Sequence, residues 1–269
     1  MISQTRIYKA ALLRTALFVA VLAGIPCAAP PAVAQASLSL TPAVIMAQGT
    51  FGQSLTQRLT INNQTSNVFD FQMVAQDIVV RDGKRVFMPA GAMQNSIAAT
   101  AVFSPREIVA PPNSSASVEV TVTIPPHTDI RAIAAIFRAT NGLHSESGHV
   151  GLVASMGTLL TFNLSKDVAI KADPIHVNLP TDTTNLSFDQ TLQNSGAEPI
   201  IPKGVAAILN AQNRLVGKAA FGIQRLLPGE KLVYHAEFSD QLKPGSYHVL
   251  CTFQYGDKTE SQQTDFMVK

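Results

Sequence analysis

The sequence predicts an all-β protein, two tandem immunoglobulin-like β-sandwich domains after a cleaved signal peptide. Three observations carry this. From Ser37 onward apolar residues recur with period two, in short runs closed by Gly, Pro, Asn and Asp turn pairs, which is the pattern of half-buried strands. No comparable stretch past the N-terminal leader has the 3.6-residue periodicity of an amphipathic helix. Composition agrees: 46% of the 269 residues are apolar and 14% charged, with 16 Gly and 16 Pro, which fits packed domains and excludes a disordered or collagen-like chain.

The leader comes first. Residues 1–14 hold Arg6, Lys9 and Arg14 and no acidic residue, residues 16–24 (ALFVAVLAG) are apolar and uncharged, and Ala32-Val33-Ala34 places small residues where a signal peptidase reads. The apolar run is too short to span a bilayer, so residues 1–34 read as a secretory signal cut after Ala34. Pro26 before Cys27 argues against a lipoprotein site. Cleavage removes three basic residues and one of the two cysteines. The mature chain then has seventeen basic against eighteen acidic residues, a net charge of −1, and only Cys251. An internal disulfide is impossible, and stability must come from apolar cores.

In the first domain, residues 35–165, strands are expected over 38–48, 54–62, 67–80, 105–110, 115–124, 130–139 and 150–164. Asp82-Gly83 is a type I′ hairpin pair, since both central residues must take positive φ. Seven strands over about 130 residues suit an immunoglobulin-like sandwich. The polar break Ser165-Lys166-Asp167 marks the junction. The second domain, residues 166–269, repeats the theme over 168–179, 186–194, 204–210, 214–221, 230–238, 247–255 and 260–268. Residues 242–247 (LKPGSY) have the spacing of a tyrosine corner, in which the Tyr247 hydroxyl bonds back to backbone. Trp is absent and no cysteine pair remains, so neither domain is antibody-like.

Candidate chemistry is sparse, and no catalytic residue is assigned. His144, Glu146 and His149 could hold a metal through nitrogen and oxygen, but their spacing matches no zinc pattern, and a polar hairpin loop is the simpler reading. No Gly-x-Ser-x-Gly elbow or phosphate-cradling loop occurs. Alternation puts Val249, Cys251 and Phe253 on one face, so Cys251 reads as buried and inert. Arg81, Lys84 and Arg85 read as a solvated hairpin tip, and nucleic-acid binding has no charge-based support. The expectation is a non-enzyme with no cofactor, no metal and no small-molecule substrate.

The distinctive feature is residues 150–164 (VGLVASMGTLLTFNL). Seven of its eight even positions are apolar, Leu152, Ala154, Met156, Leu160, Phe162 and Leu164 among them, against two of seven odd ones. At about 3.3 Å per residue the run would reach nearly 50 Å, longer than an ordinary strand needs. A bulge is expected at Gly157. Part of the run must fill the domain's own core; the surplus would offer backbone bonds and side-chain knobs to another chain.

Residues 39–45 (SLTPAVI) with 59–63 (LTINN), the proline-marked turn in 106–115 (REIVAPPNSS) and 130–137 (IRAIAAIF) ahead of the long run resemble the periplasmic pilus-assembly chaperones of Gram-negative bacteria. The resemblance implies a periplasmic chaperone-like protein that binds an exported pilus or surface-protein subunit by strand addition. Its site would be Leu152, Ala154, Met156, Leu160, Phe162 and Leu164, with Met156, Leu160 and Phe162 inserted into the partner's incomplete core. Two departures stand out: Pro42 occupies the place of the family's anchoring Arg, and residues 150–164 contain no Lys. The pair that grips a subunit's terminal carboxylate in that family is therefore missing. An extracellular structural or adhesive module at the cell surface is the alternative, and self-association through the edge strand is a further possibility.

Overall fold

The computed structural model describes residues 37–141, 143–144, 151–152, 155–181 and 183–269; the expected signal segment and its cleavage point lie outside them. Ser37–Lys269 forms one compact unit. Its strands are β1 (Leu38–Thr41), β2 (Val44–Gln48), β3 (Ser54–Asn63), β4 (Phe69–Arg81), β5 (Lys84–Pro89), β6 (Val102–Ser104), β7 (Glu107–Ala110), β8 (Ser114–Thr123), β9 (Ala132–Ala139), β10 (Leu143–His144), β11 (Gly151–Leu152) and β12 (Ser155–Asn163), followed by β13 (Ile170–Ala172), β14 (His176–Asn178), β15 (Leu186–Asn194), β16 (Lys203–Asn210), β17 (Leu215–Ala220), β18 (Lys231–Phe238), β19 (Gly245–Tyr255) and β20 (Lys258–Val268).

The first sandwich packs a sheet of order β1-β3-β8-β6 against one of order β2-β12-β9-β4-β5, with β7 also on β4. The second packs β17-β16-β19-β20 against a sheet centred on β15. There β18 pairs along β15 from Leu186 to Gln193, so β13 and β14 share the other edge of β15. Each sandwich has its own core. The first gathers Leu59, Phe71, Met73, Phe137, Leu160 and Phe162; the second gathers Phe188, Tyr234, Val249, Cys251 and Phe253. The buried Asp77 is paired, as burial demands: it accepts from Ser96 Oγ at 2.5 Å and from Ala98 N at 2.8 Å, tying down the 3-10 turn Ala98–Thr100.

The all-β, two-sandwich fold is as the sequence predicts, and local signals account for much of it. Asp82 and Gly83 have φ of 51° and 76°, the positive pair that a type I′ turn requires. Tyr247 Oη donates to Lys243 O at 2.7 Å, closing the tyrosine corner.

Four expectations are corrected. The run 38–48 is two strands on opposite sheets: Pro42 has no N–H to give a ladder, and the chain crosses the sandwich there. The run 168–179 also breaks, at Asp173-Pro174, but both of its strands, β13 and β14, stay on the same edge of β15. Within 150–164, the described strand parts are β11 and β12, and β11 pairs with β10. Gly157 is not a bulge, because it opposes Ile136 in unbroken register. β5 and β6 were not expected as strands.

Candidate functional site

The neighbours of β12 determine what it can offer. On one side β9 pairs with it antiparallel, from Ser155↔Arg138 to Thr161↔Ala132. On the other, β2 runs parallel, from Leu159↔Val44 to Asn163↔Gln48. Two hydroxyls fasten this parallel pair, Thr158 Oγ1 to Pro42 O at 2.8 Å and Thr161 Oγ1 to Ile45 O at 3.0 Å. Coverage by β2 begins where Leu159 N donates to Ala43 O at 3.0 Å. Phe162 N instead donates to Arg131 O on the β9 side. Backbone groups alternate in direction along a strand, so Ser155 and Gly157 send their N–H and C=O to the same side as Leu159. Among the described residues no strand meets them there, which leaves Ser155–Gly157 as an open edge.

The side chains divide by face. Met156 is half-buried and packs against the first core together with Leu164, while Leu160 and Phe162 are each only 1% exposed. This corrects the expected mechanism of insertion: Leu160 and Phe162 fill their own domain's core, and β2 occupies the strand edge beside them through Leu159, Thr161 and Asn163. Neither is free for a partner in this arrangement. Leu164 N is committed as well, donating to Glu198 Oε2 at 2.9 Å. Leu152 is described only as backbone in β11, and Ala154 lies outside the described residues.

The outer face of β12 carries features the sequence reading missed. A groove of about 380 Å3 runs past Ile78, Phe87, Ala134, Ile136, Met156 and Leu159, and Phe87 at its rim is 53% exposed. Gly157 lies in this groove, and a Cβ there would meet Ala135 O at 3.5 Å and Ile136 Cγ1 at 3.6 Å, ordinary contact distances. Phe87 belongs to β5, whose signal was the β-branched and aromatic pair Val86-Phe87 shortly after the Asp82-Gly83 turn.

The hairpin tip is likewise reassigned. Read from sequence as solvated, it is docked on the second sandwich: Lys231 N donates to Gly83 O at 2.9 Å, and Arg85 pairs with the buried Glu230. Cys251 has no exposed surface, and burial pushes its thiol up to about 12, the opposite of what a nucleophile needs. Of the proposed metal group, Glu146 and His149 lie outside the described residues, and His144 is described only as backbone in β10.

No protein-family model matches the chain, and no curated protein matches it. Several of the solved structures similar to it are chaperones by name. The class 5 fimbriae chaperone CfaA is 13% identical, with a TM-score of 0.42 over 86% of this chain and 98% of that one. A chain of the CsuC–CsuE chaperone–tip adhesion subunit complex, from the archaic Csu pili of Acinetobacter baumannii, is 10% identical, with a TM-score of 0.42 over 85% and 98%. The E. coli chaperone DraB is 13% identical, with a TM-score of 0.40 over 87% and 98%.

Proposed function

We propose that the mature chain is a non-enzymatic, chaperone-like protein of the periplasm, which takes an extended segment of an exported pilus or surface subunit as an added β-strand. The observation that carries this reading is the open edge at Ser155–Gly157, ahead of the stretch where β2 already occupies the same side of β12. An incoming strand would bond to Ser155 and Gly157, and the groove past Phe87 and Ile136 would receive its apolar side chains. Backbone bonds would supply affinity and the groove selectivity, the division of labour in strand addition. Met156, Leu152 and Ala154 remain the proposed contacts of the original set.

Site-directed cross-linking in cells that export the protein tests this. Ser155→Cys should cross-link to an exported subunit, while Ser261→Cys, on the exposed face of β20 in the other sandwich, should not. Adding Gly157→Pro deletes one outward N–H and leaves the β9 side of the strand unchanged, so it should abolish the adduct. Equal cross-linking from both cysteines, or an adduct that survives Gly157→Pro in a protein with native circular dichroism, would overturn the reading. Recovery of the protein from the cell surface rather than the periplasm would favour the adhesive module instead.

A further inference from the structure

Three polar side chains form a row across the outer face of the second sandwich, one on each of three neighbouring strands. His176 of β14 stands opposite Asp189 of β15, and Asp189 stands opposite His235 of β18. All three face solvent because their chain neighbours turn inward: Val177 packs against the second core, and Phe188, Tyr234 and Ala236 are buried in it. The side chains of Asp189 and His235 are 31% and 56% exposed, and His176 is exposed as well. His235 Nδ1 lies 2.6 Å from Asp189 Oδ1, while Asn178 Nδ2 donates to Asp189 Oδ2 at 2.8 Å. Among the described residues no three His, Cys, Asp or Glu side chains are already gathered to hold a metal ion, but this row needs only ring rotation to become such a group. Adjacent strands lie about 4.8 Å apart. Each histidine therefore flanks the carboxylate by one strand spacing, and rings turned over Asp189 bring a nitrogen to either side of its oxygens.

We propose that His176, Asp189 and His235 bind a divalent transition cation of the zinc class. Two imidazole nitrogens and one carboxylate oxygen, with water in the fourth position, are a donor set that suits zinc, whereas magnesium prefers oxygen ligands alone. Asn178, bonded to the second oxygen of Asp189, would hold the carboxylate in place, as partners of metal ligands do. The cation would staple β14, an edge strand paired with β15 only over His176–Asn178, to β15 and β18. No local spacing announces the site, because each ligand comes from a different strand. It lies on the second sandwich and does not depend on the strand-addition reading of the first.

The test uses the full chain without an affinity tag, cleared of metal with EDTA and titrated with zinc chloride by calorimetry, with melting temperature followed in parallel. Zinc should bind saturably and raise the melting temperature, and magnesium chloride should do neither. Loss of a mere partner of a metal ligand weakens binding by about 10–100-fold, so His176→Gln and His235→Gln should each weaken zinc by about tenfold or more. Both side chains are exposed, and without metal both variants should keep the circular dichroism of the parent. His144→Gln combined with His149→Gln, and separately His248→Gln on β19, should bind zinc as the parent does. The proposal is overturned if zinc gives no saturable response, if either His176→Gln or His235→Gln binds as tightly as the parent, or if binding is lost in the His144→Gln, His149→Gln variant instead.

Discussion

Cys251 lies on β19 between the inward-facing Val249 and Phe253, and all three are buried. The alternation of the sequence already placed it there, as the spacing of residues 242–247 placed Tyr247 at its corner; both follow from side chains a few residues apart. What burial does to the thiol can be tested. With its pKa raised to about 12, almost no thiolate exists in the folded state at pH 8, whereas an exposed cysteine titrates near 8.5. The folded chain should resist iodoacetamide at pH 8 and take up one equivalent per Cys251 on unfolding in urea, read by intact mass. The linkage has a definite sign: the unfolded state releases this proton first, so the thiol's contribution to stability is complete below about 8.5 and shrinks as pH rises above it. Labelling of the folded protein at the rate of a free thiol would contradict this account.

At the level of elements, β12 shows where sequence reading succeeds and where it stops. Its inward set was legible because alternation is a local property: Leu160 and Phe162 do point one way. Its partner β2 was not, because a parallel pairing between Val44 and Leu159 leaves no mark in either segment alone; only Pro42, which ends β1, hinted that residues 38–48 serve two sheets. Apolar alternation therefore identified a strand with a good inward face and could not say which stretch of its edge stays open. Consequences for stability separate the two halves. Leu160→Ala should cost about 2–5 kcal/mol, the range for large-to-small changes in a packed core. Gly157→Val, whose Cβ meets only ordinary contacts and whose side chain suits a strand, should change stability by less than about 1 kcal/mol. Urea denaturation of the two variants checks this, and a loss at Gly157→Val equal to that at Leu160→Ala would mean that the groove over Gly157 is packed rather than open.

Over the whole molecule, the two sandwiches meet through charge as well as apolar contact. Ile78, Ala132 and Ala134 of the first cluster with Leu227 of the second, and two ion pairs cross the same boundary: Arg131 Nε to Glu198 Oε1 at 3.2 Å and Arg85 Nε to Glu230 Oε1 at 2.6 Å. In each pair the arginine comes from the first sandwich and the glutamate, 0% or 3% exposed, from the second. Glu198 also accepts from Leu164 N and from Ser165 Oγ at 2.9 Å, so it grips the connecting segment itself. None of this was legible in the sequence, since no local pattern tells which distant arginine a buried glutamate will meet. Removing one partner of a buried pair strands the other charge and costs about 3–5 kcal/mol, far more than the intact pair need contribute. Glu198→Ala should therefore destabilise by that amount through Arg131, which is only 11% exposed. The parent chain should melt in one calorimetric transition, because neither sandwich can unfold without exposing both arginines' partners and the Leu227 contact. In Glu198→Ala combined with Glu230→Ala the coupling is lost, and the endotherm should resolve into two, one for each core. A single, merely lower transition in the double variant would show that the apolar contact alone couples the sandwiches.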